Sequence, residues 1–556
     1  MSSAAQSGKV GEAAHSADDL FHRLEQLNSI GASLSGERDL NRLLENILVA
    51  AKTITNADGG TLYRVTEDGT LRFEIVRTTS LKYYLGGTSG QPVPFYPIRL
   101  HQEGKPNHGM VAAYSALTGK TVNIADAYMA EGFDFSGTKA VDAKTGYRSK
   151  SFLTVPMRNH ENEIIGVLQL INAMRRGSGE VVPFSAADQR LAESLASQAA
   201  IALTNRMLID QLEQLFESFI GLINAAIDEK SPYTGGHCQR VPTLTMMLAE
   251  AAAAGEIAGF SMSERDRYEL KIAAMLHDCG KITTPVHVVD KATKLETIFD
   301  RIQLVDTRFE VLKRDADIAL LREQAALTAR RAGKEELLAA EERCRARLRQ
   351  IDEDRAFLRA CNVGGERMRD ADVERVRAIG RQRWTDLAGH EANFLTEDEV
   401  KNLTIRAGTL SADEREVINH HIVSTINMLE ALPWPKHLKN VPEYAGGHHE
   451  RMDGKGYPKG LTGEQMSIQA RIMGIADIFE ALTAKDRPYK KGKTLSESLQ
   501  ILGQMSQTGH IDPQLFRLFV RGKVYRRYAE TFLDPEQIDE VDESKIPGCL
   551  APTLRF

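Results

Sequence analysis

Two short runs of ligand-type side chains, far apart in the chain, restrict what this sequence can fold into. The first is His277-Asp278-Cys279-Gly280-Lys281, and the second is His448-His449-Glu450-Arg451-Met452-Asp453-Gly454-Lys455-Gly456-Tyr457-Pro458. Imidazole and carboxylate together hold a divalent cation, and a nearby ammonium group meets an anion. The two runs can serve one site only in a fold that brings distant segments together. His237, His421 and Asp477 supply further donors of the same kind. With His277, Asp278, His448 and His449 they make seven N and O donors with no thiolate. That set exceeds what one cation takes and suits two, with Asp278 able to bridge. Lys281 follows the His-Asp pair at a spacing that lets it balance charge on phosphoryl oxygens. Asp278 and Lys281 are therefore the candidate catalytic residues. Taken singly, each His is more often a satisfied structural residue; the ordered set carries the reading.

The chain has 556 residues, too many for one core, and reads as two or three domains. Its net charge of -6 gives no global basic field for nucleic acid, so an anionic substrate must be met by local Lys and Arg. None of the five cysteines forms a Cys-x-x-Cys pair, which fits a reducing cytoplasm and argues against a thiolate zinc site. No apolar run is long enough to span a membrane, and the polar start, Met1 to Ala14, lacks a signal-peptide core. A cytoplasmic location without membrane or nucleic-acid partners is expected.

Residues 1–18 read as a disordered leader and 19–194 as an α+β sensor domain. Strand-like pieces fall at Gly60–Val65, Leu71–Val76, Ser151–Val155 and Ile164–Ile171. Residues 195–230 read as one helix with a heptad seam at Ile201, Leu208, Leu212, Leu215, Phe219, Leu222 and Ala226, with Asn205 in the remaining seam position. The seam implies a coiled-coil homodimer. Residues 231–535 read as nearly all helix. Within them lies an Arg-, Glu- and Ala-rich block at about 300–410, read as a charged helical hairpin with Gly364-Gly365 between its halves. Residues 536–556 read as a flexible acidic tail.

The His-Asp-x-Gly-Lys, His-His-Glu and Gly-Tyr-Pro segments, with Asp486-Arg487-Pro488-Tyr489-Lys490, resemble the HD-GYP family of bacterial cyclic di-GMP phosphodiesterases. The resemblance implies an all-α HD-type metal-dependent phosphohydrolase domain, here carrying the hairpin as an insertion. It also implies metal ligation by His237, His277, Asp278, His421, His448, His449 and Asp477. It selects His421 over its neighbour His420 and over His287 through the following Ile-Val-Ser-Thr. Lys281, Arg487 and Lys490 are implied substrate-phosphate contacts, and Glu450 a residue that orients a ligand. Two divalent transition metals are expected, iron or manganese ahead of zinc or nickel. The implied reaction opens cyclic di-GMP to pGpG, and onward to GMP is open. The Gly-Tyr-Pro loop is a candidate protein-partner contact.

Residues 19–205 resemble a GAF domain of the cyclic-nucleotide type, matching at Val122–Tyr128, Phe133-Asp134 and Asp142–Lys150. Asn172, Phe184 and Asp188 retain part of a signature of such domains, with Ala173 and Gln189 replacing its Lys and Glu. A cyclic nucleotide at the GAF domain, touching Asn172, Phe184 and Asp188, is the corresponding expectation. Two alternatives stand beside the main reading: a phosphohydrolase acting on another nucleotide, and an inactive signalling scaffold.

Overall fold

The computed structural model describes residues 23, 25–230, 236–257, 259–365, 367–485 and 492–549. It divides into two compact units, and the division falls between Leu215 and Phe216.

The first unit is built on an antiparallel sheet. Its main strands are β1 (Ala57–Val65), β2 (Thr70–Thr78), β3 (Tyr83–Gly86), β4 (Val122–Ile124), β5 (Phe152–Arg158) and β6 (Ile164–Met174). They lie in the order β3-β2-β1-β6-β5-β4. The segments expected as strands coincide with β1, β2, β5 and β6, except that Ser151 precedes the start of β5. Helices α1 (residues 25–36), α2 (Leu40–Thr55), α3 (Val111–Thr118) and α4 (Ser136–Thr145) lie in this unit, and α5 (Ala186–Lys230) starts in it. Strand alternation sends neighbours to opposite faces. Leu62 and Leu168 join a core with Leu43 and Ile47 of α2 and Leu195 of α5, whereas Tyr63 and Val167 join Ala112 and Ala113 of α3. The sheet is therefore buried on both faces, which is why β1 reads as a nearly continuous buried run.

The long helix expected from residue 195 begins at Ala186 and continues unbroken to Lys230. Its early residues Leu191, Leu195, Ala199 and Leu203 belong to the sheet's core, so the domain boundary expected at 194 lies inside a helix. The seam residues Ile201, Leu208, Leu212, Leu215, Phe219 and Leu222 are all exposed.

The second unit contains α6 (His237–Ala251), α7 (Glu264–Leu276), α8 (Val286–Val289), α9 (Ile302–Ala329), α10 (Lys334–Asn362), α11 (Asp370–Gly380) and α12 (Glu397–Leu403). It continues with α13 (Ala412–Glu430), α14 (Val441–Gly446), α15 (Ile468–Thr483), α16 (Leu495–Gln507), α17 (Pro513–Arg521) and α18 (Val524–Phe532). Capping boxes start α7 (Ser263, Asp266), α12 (Thr396, Glu399), α13 (Ser411, Glu414) and α16 (Thr494, Glu497). Each satisfies amides that the first turn leaves bare, worth about 1 kcal/mol. One core joins Val241, Leu244, Ile272, Ala273, Val441, Ile472, Ile475, Phe479 and Phe516.

The charged block differs from expectation in its turn. The hairpin of α9 and α10 reverses at Arg330–Gly333, whereas Gly364 and Gly365 follow α10. The block is also not wholly helical: β7 (Arg383–Thr385) and β8 (Glu391–Asn393) pair antiparallel within it. Val305, Phe309, Ile351, Leu358, Val376 and Phe394 give it a core of its own. At its base, Lys294 donates to the carbonyls of Leu403 (3.2 Å) and Ile405 (2.8 Å), and Lys291 pairs with Glu414 of the α13 capping box at 2.8 Å. The stretch after 535 is ordered further than its acidic composition implies. Ile546 and Cys549 are buried in the main core, with Ile538 and Val541 packed against it. Residues 550–556 lie outside the described residues.

Candidate metal centre

Five short pieces of the second unit deliver the expected donors to one buried place. His237 opens α6, behind Gly236. Gly236 has φ +80, a conformation that glycine adopts without strain. His277 ends α7 and Asp278 follows it. His421 lies on α13 and is buried, whereas its neighbour His420 is exposed. His448 and His449 follow α14, and Asp477 lies on α15. The competing His287 is exposed.

The close approach of Asp278 to α13 depends on Gly280. Its amide donates to Thr425 Oγ1 at 2.9 Å. A Cβ on it would meet the His421 carbonyl oxygen at 2.1 Å. The glycine of His-Asp-x-Gly-Lys thus sets the distance between two ligand-bearing segments.

The donors fall into two overlapping sets, His237-His277-Asp278 and Asp278-His421-His448-His449, with Asp278 common to both. His237 Nε2 lies 3.1 Å from Asp278 Oδ2 and 3.3 Å from His277 Nε2. Asp477 Oδ1 adds to the first set, 3.3 Å from His237 Nε2 and 3.9 Å from His277 Nε2. In the second set, His421 Nε2 lies 3.3 Å from Asp278 Oδ1 and 3.2 Å from His449 Nε2. All seven expected ligand residues are therefore brought together.

The donor set fits cations. Asp278 Oδ1 and His448 Nε2 are buried and make no hydrogen bond, an arrangement that costs about 1–3 kcal/mol per group unless something accepts the lone pairs. Nitrogen donors with no thiolate, beside two carboxylates, match borderline divalent transition ions. His277 and His448 hold Nδ1 on the carbonyls of Ala274 (2.8 Å) and Ala445 (2.6 Å), and His421 does so on Ile418. Each therefore turns Nε2 inward.

Electrostatics separate these groups. Burial, together with the neighbouring imidazoles of His449 and His277, pushes the His448 pKa well below the usual histidine range. Burial lowers His449 to about 4 against the opposing pull of Asp477. Burial also disfavours charge on His237, but hydrogen bonds to Asp278, Asp477 and Glu480 outweigh it and raise that imidazole well above its ordinary value. Burial opposes ionisation of Asp278 as well, yet Lys281 and His277 hold its carboxyl well below the carboxylate range. Lys281 Nζ reaches Asp278 Oδ2 at 2.5 Å, so the expected phosphate contact sits against the shared carboxylate.

The Gly-Tyr-Pro segment packs on the second set. The Tyr457 ring stacks on His449, with centroids 4.8 Å apart and planes at 26°. Glu450 accepts from the amides of Lys459 (2.7 Å) and Leu461 (2.9 Å), so it fixes this loop rather than a ligand's ring. Arg487 and Lys490 lie outside the described residues. One participant escaped the sequence reading: Glu480, 1% exposed, with Oε2 2.5 Å from His237 Nδ1 and Oε1 2.7 Å from Arg240. Its signal was available, a lone carboxylate one turn after Asp477 in the otherwise apolar stretch Ile475-Ala476-Asp477-Ile478-Phe479-Glu480-Ala481-Leu482.

In the first unit the three expected ligand contacts have internal partners. Asn172, at φ +56, accepts from the amides of Lys150 (2.7 Å) and Ser151 (3.2 Å) and donates to Arg148 O at 2.8 Å. Phe184 is in the core beneath the sheet. Asp188 accepts from the Ser185 amide at 2.9 Å and pairs with Arg23 at 2.5 Å. These residues hold loops and helix ends together.

Residues 39–203 match the GAF domain, and residues 234–352 and 397–515 each match the HD domain. The chain is 49% identical over 109 residues to a cyclic di-GMP phosphodiesterase of Pseudomonas aeruginosa, 19% of this chain and 26% of that one. It is 46% identical over 81 residues to 3'3'-cGAMP-specific phosphodiesterase 1 of Vibrio cholerae, 15% of this chain and 19% of the relative. A cyclic di-GMP phosphodiesterase response regulator of Xanthomonas campestris is 34% identical over 123 residues, 22% of this chain and 32% of the relative. The chain thus spans about a third or less of the length of these relatives. With the paired imidazoles and the shared Asp278 in place, the chain joins a GAF domain to an HD domain.

Proposed function

We propose that the chain is a metal-dependent phosphodiesterase that hydrolyses cyclic di-GMP to pGpG. The observation that carries this reading is the pair of donor sets joined by Asp278, with Asp278 Oδ1 and His448 Nε2 buried and unbonded. A pair of divalent cations, iron or manganese by preference, supplies when bound a water of lowered pKa and positive charge for the phosphoryl oxygens. His237, His277, Asp278 and Asp477 would hold one, and Asp278, His421, His448 and His449 the other. Lys281 keeps Asp278 ionised and offers its remaining donors to a non-bridging phosphoryl oxygen. Arg487 and Lys490 are assigned the other phosphate contacts. The 3′-oxygen of the ribose leaves as water oxygen joins phosphorus, and its proton comes from solvent.

The named activities of the relatives support the reaction class and leave the second base open. A 3'3'-cGAMP-specific relative makes that cyclic dinucleotide the specific second reading. The exposed seam on α5 supports a homodimer through a coiled coil. A small ligand on the GAF domain is assigned the regulatory role.

The test is elemental analysis of anaerobically purified protein, followed by product analysis with cyclic di-GMP and 3'3'-cGAMP as separate substrates. Bound transition metal and linear pGpG are expected. Metal without turnover of either cyclic dinucleotide rejects the substrate class, and protein that takes up no metal rejects the mechanism.

A further inference from the structure

We infer that Glu480 is the positioning residue for His237, serving as a charged acceptor that α6 itself does not provide. The inference rests on the metal-centre reading above but not on the identity of the substrate. Three of the site imidazoles fix themselves by one device: Nδ1 of His277, His421 and His448 sits on the backbone carbonyl three residues earlier in the chain. That leaves Nε2 as the inward donor in a fixed tautomer.

His237, the first residue of α6, uses a side chain for the same purpose. Its Nδ1 lies instead 2.5 Å from Glu480 Oε2, while Nε2 faces Asp278 Oδ2 at 3.1 Å and Asp477 Oδ1 at 3.3 Å. Glu480 is placed by periodicity: it lies one turn beyond Asp477 on α15, so both carboxylates face α6. Its second oxygen accepts from Arg240 at 2.7 Å, and Arg240 lies one turn beyond His237 on α6. Two residues of α6 and one of α15 thus form a closed arrangement in which neither the ring nor the carboxylate can turn without losing a bond.

The choice of acceptor has a chemical consequence. A carbonyl orients an imidazole, whereas a carboxylate also adds negative charge behind the ring and strengthens the opposite nitrogen as a donor. The set built on His237, His277, Asp278 and Asp477 therefore gains a second layer of charge behind His237. The set built on His421, His448 and His449 depends on backbone and on the Tyr457 stack.

The test uses the full chain, freed of metal by chelation and titrated with Mn2+, with uptake followed calorimetrically and by the paramagnetic signal of free Mn2+. For E480Q, which keeps shape and an acceptor but loses the charge, one class of Mn2+ site is expected to weaken by about tenfold, with the other unchanged. For E480A the same class is expected to weaken by up to about 100-fold. Wild-type affinity of E480Q for every equivalent overturns the inference, whether or not E480A folds. Equal weakening of both classes also overturns it, because that outcome marks general loosening of the core. Wild-type protein that takes up Mn2+ yet hydrolyses no cyclic dinucleotide removes the proposed substrate and leaves the role of Glu480 intact. No uptake by wild type removes both.

Discussion

Gly280 backs onto His421 so closely that a single added methyl group would stand 2.1 Å from the His421 carbonyl oxygen. The obstacle is backbone, with the Thr425 amide nitrogen 2.5 Å from the same point, so no side-chain rotation relieves it. Gly280→Ala is expected to push α13 away from Asp278, lower stability by about 1–3 kcal/mol and deplete metal held by the His421 set. Denaturant titration and metal analysis check this. A G280A protein with wild-type stability and metal content would show that α13 is free to shift.

Tyr457 is expected to act through its ring. Tyr457→Phe keeps the stack on His449 and should leave metal affinity within about twofold of wild type. Tyr457→Ala removes the stack and should weaken the His449-containing set by roughly 2-fold to 13-fold, the range given by about 0.5–1.5 kcal/mol for an aromatic pair. If the Phe variant loses as much as the Ala variant, the hydroxyl rather than the ring is the working part.

The hairpin insertion should be acid-sensitive. Burial opposes ionisation of Asp306, but hydrogen bonds and charge from Arg359 and Arg355 hold its carboxyl below the ordinary value. A carboxylate with a depressed native pKa adds stability that is fully present above its unfolded value of about 3.9. That stability disappears as pH falls from there through the native value. Protection from hydrogen exchange in α9 and α10, taken relative to the intrinsic rate at each pH, should fall below about pH 4 in wild type. Asp306→Asn should show fast exchange already at pH 7, at a cost of about 2 kcal/mol. Identical pH profiles for the two proteins would remove Asp306 from the explanation.

The seam on α5 should make the chain a dimer. Leu212 and Leu222 are 64% and 66% exposed, unusual for leucines spaced on one helix face. Leu212→Glu with Leu222→Glu places like charges across a two-stranded seam and is expected to raise the dimer dissociation constant by more than about 100-fold. Light scattering reads the mass, and circular dichroism reports that helix content is retained. A wild-type chain that is monomeric at micromolar concentration ends this reading.

Much of the first unit was legible because strand alternation is local. Residues such as Leu62 and Tyr63 announce two buried faces by adjacency alone. The start of α5 was misplaced for a related reason. Its first turns are apolar against the sheet, and a heptad reading finds only the exposed half farther on. The insertion's turn was misjudged because Gly364-Gly365 is the stronger turn signal, whereas the chain reverses at Arg330–Gly333, where a single glycine suffices. The ordered stretch to Cys549 was hidden by acidic composition, since its anchors are a few apolar residues that pack at long range.

By itself, the sequence determined the identity and order of the seven donors, because ligand chemistry belongs to residue type: imidazole and carboxylate without thiolate. Tertiary structure alone decided how those donors divide between two sets, since that depends on which helix ends meet around Asp278. It alone gave His237 its partner Glu480, 243 residues away, because that contact exists only where α15 packs against α6.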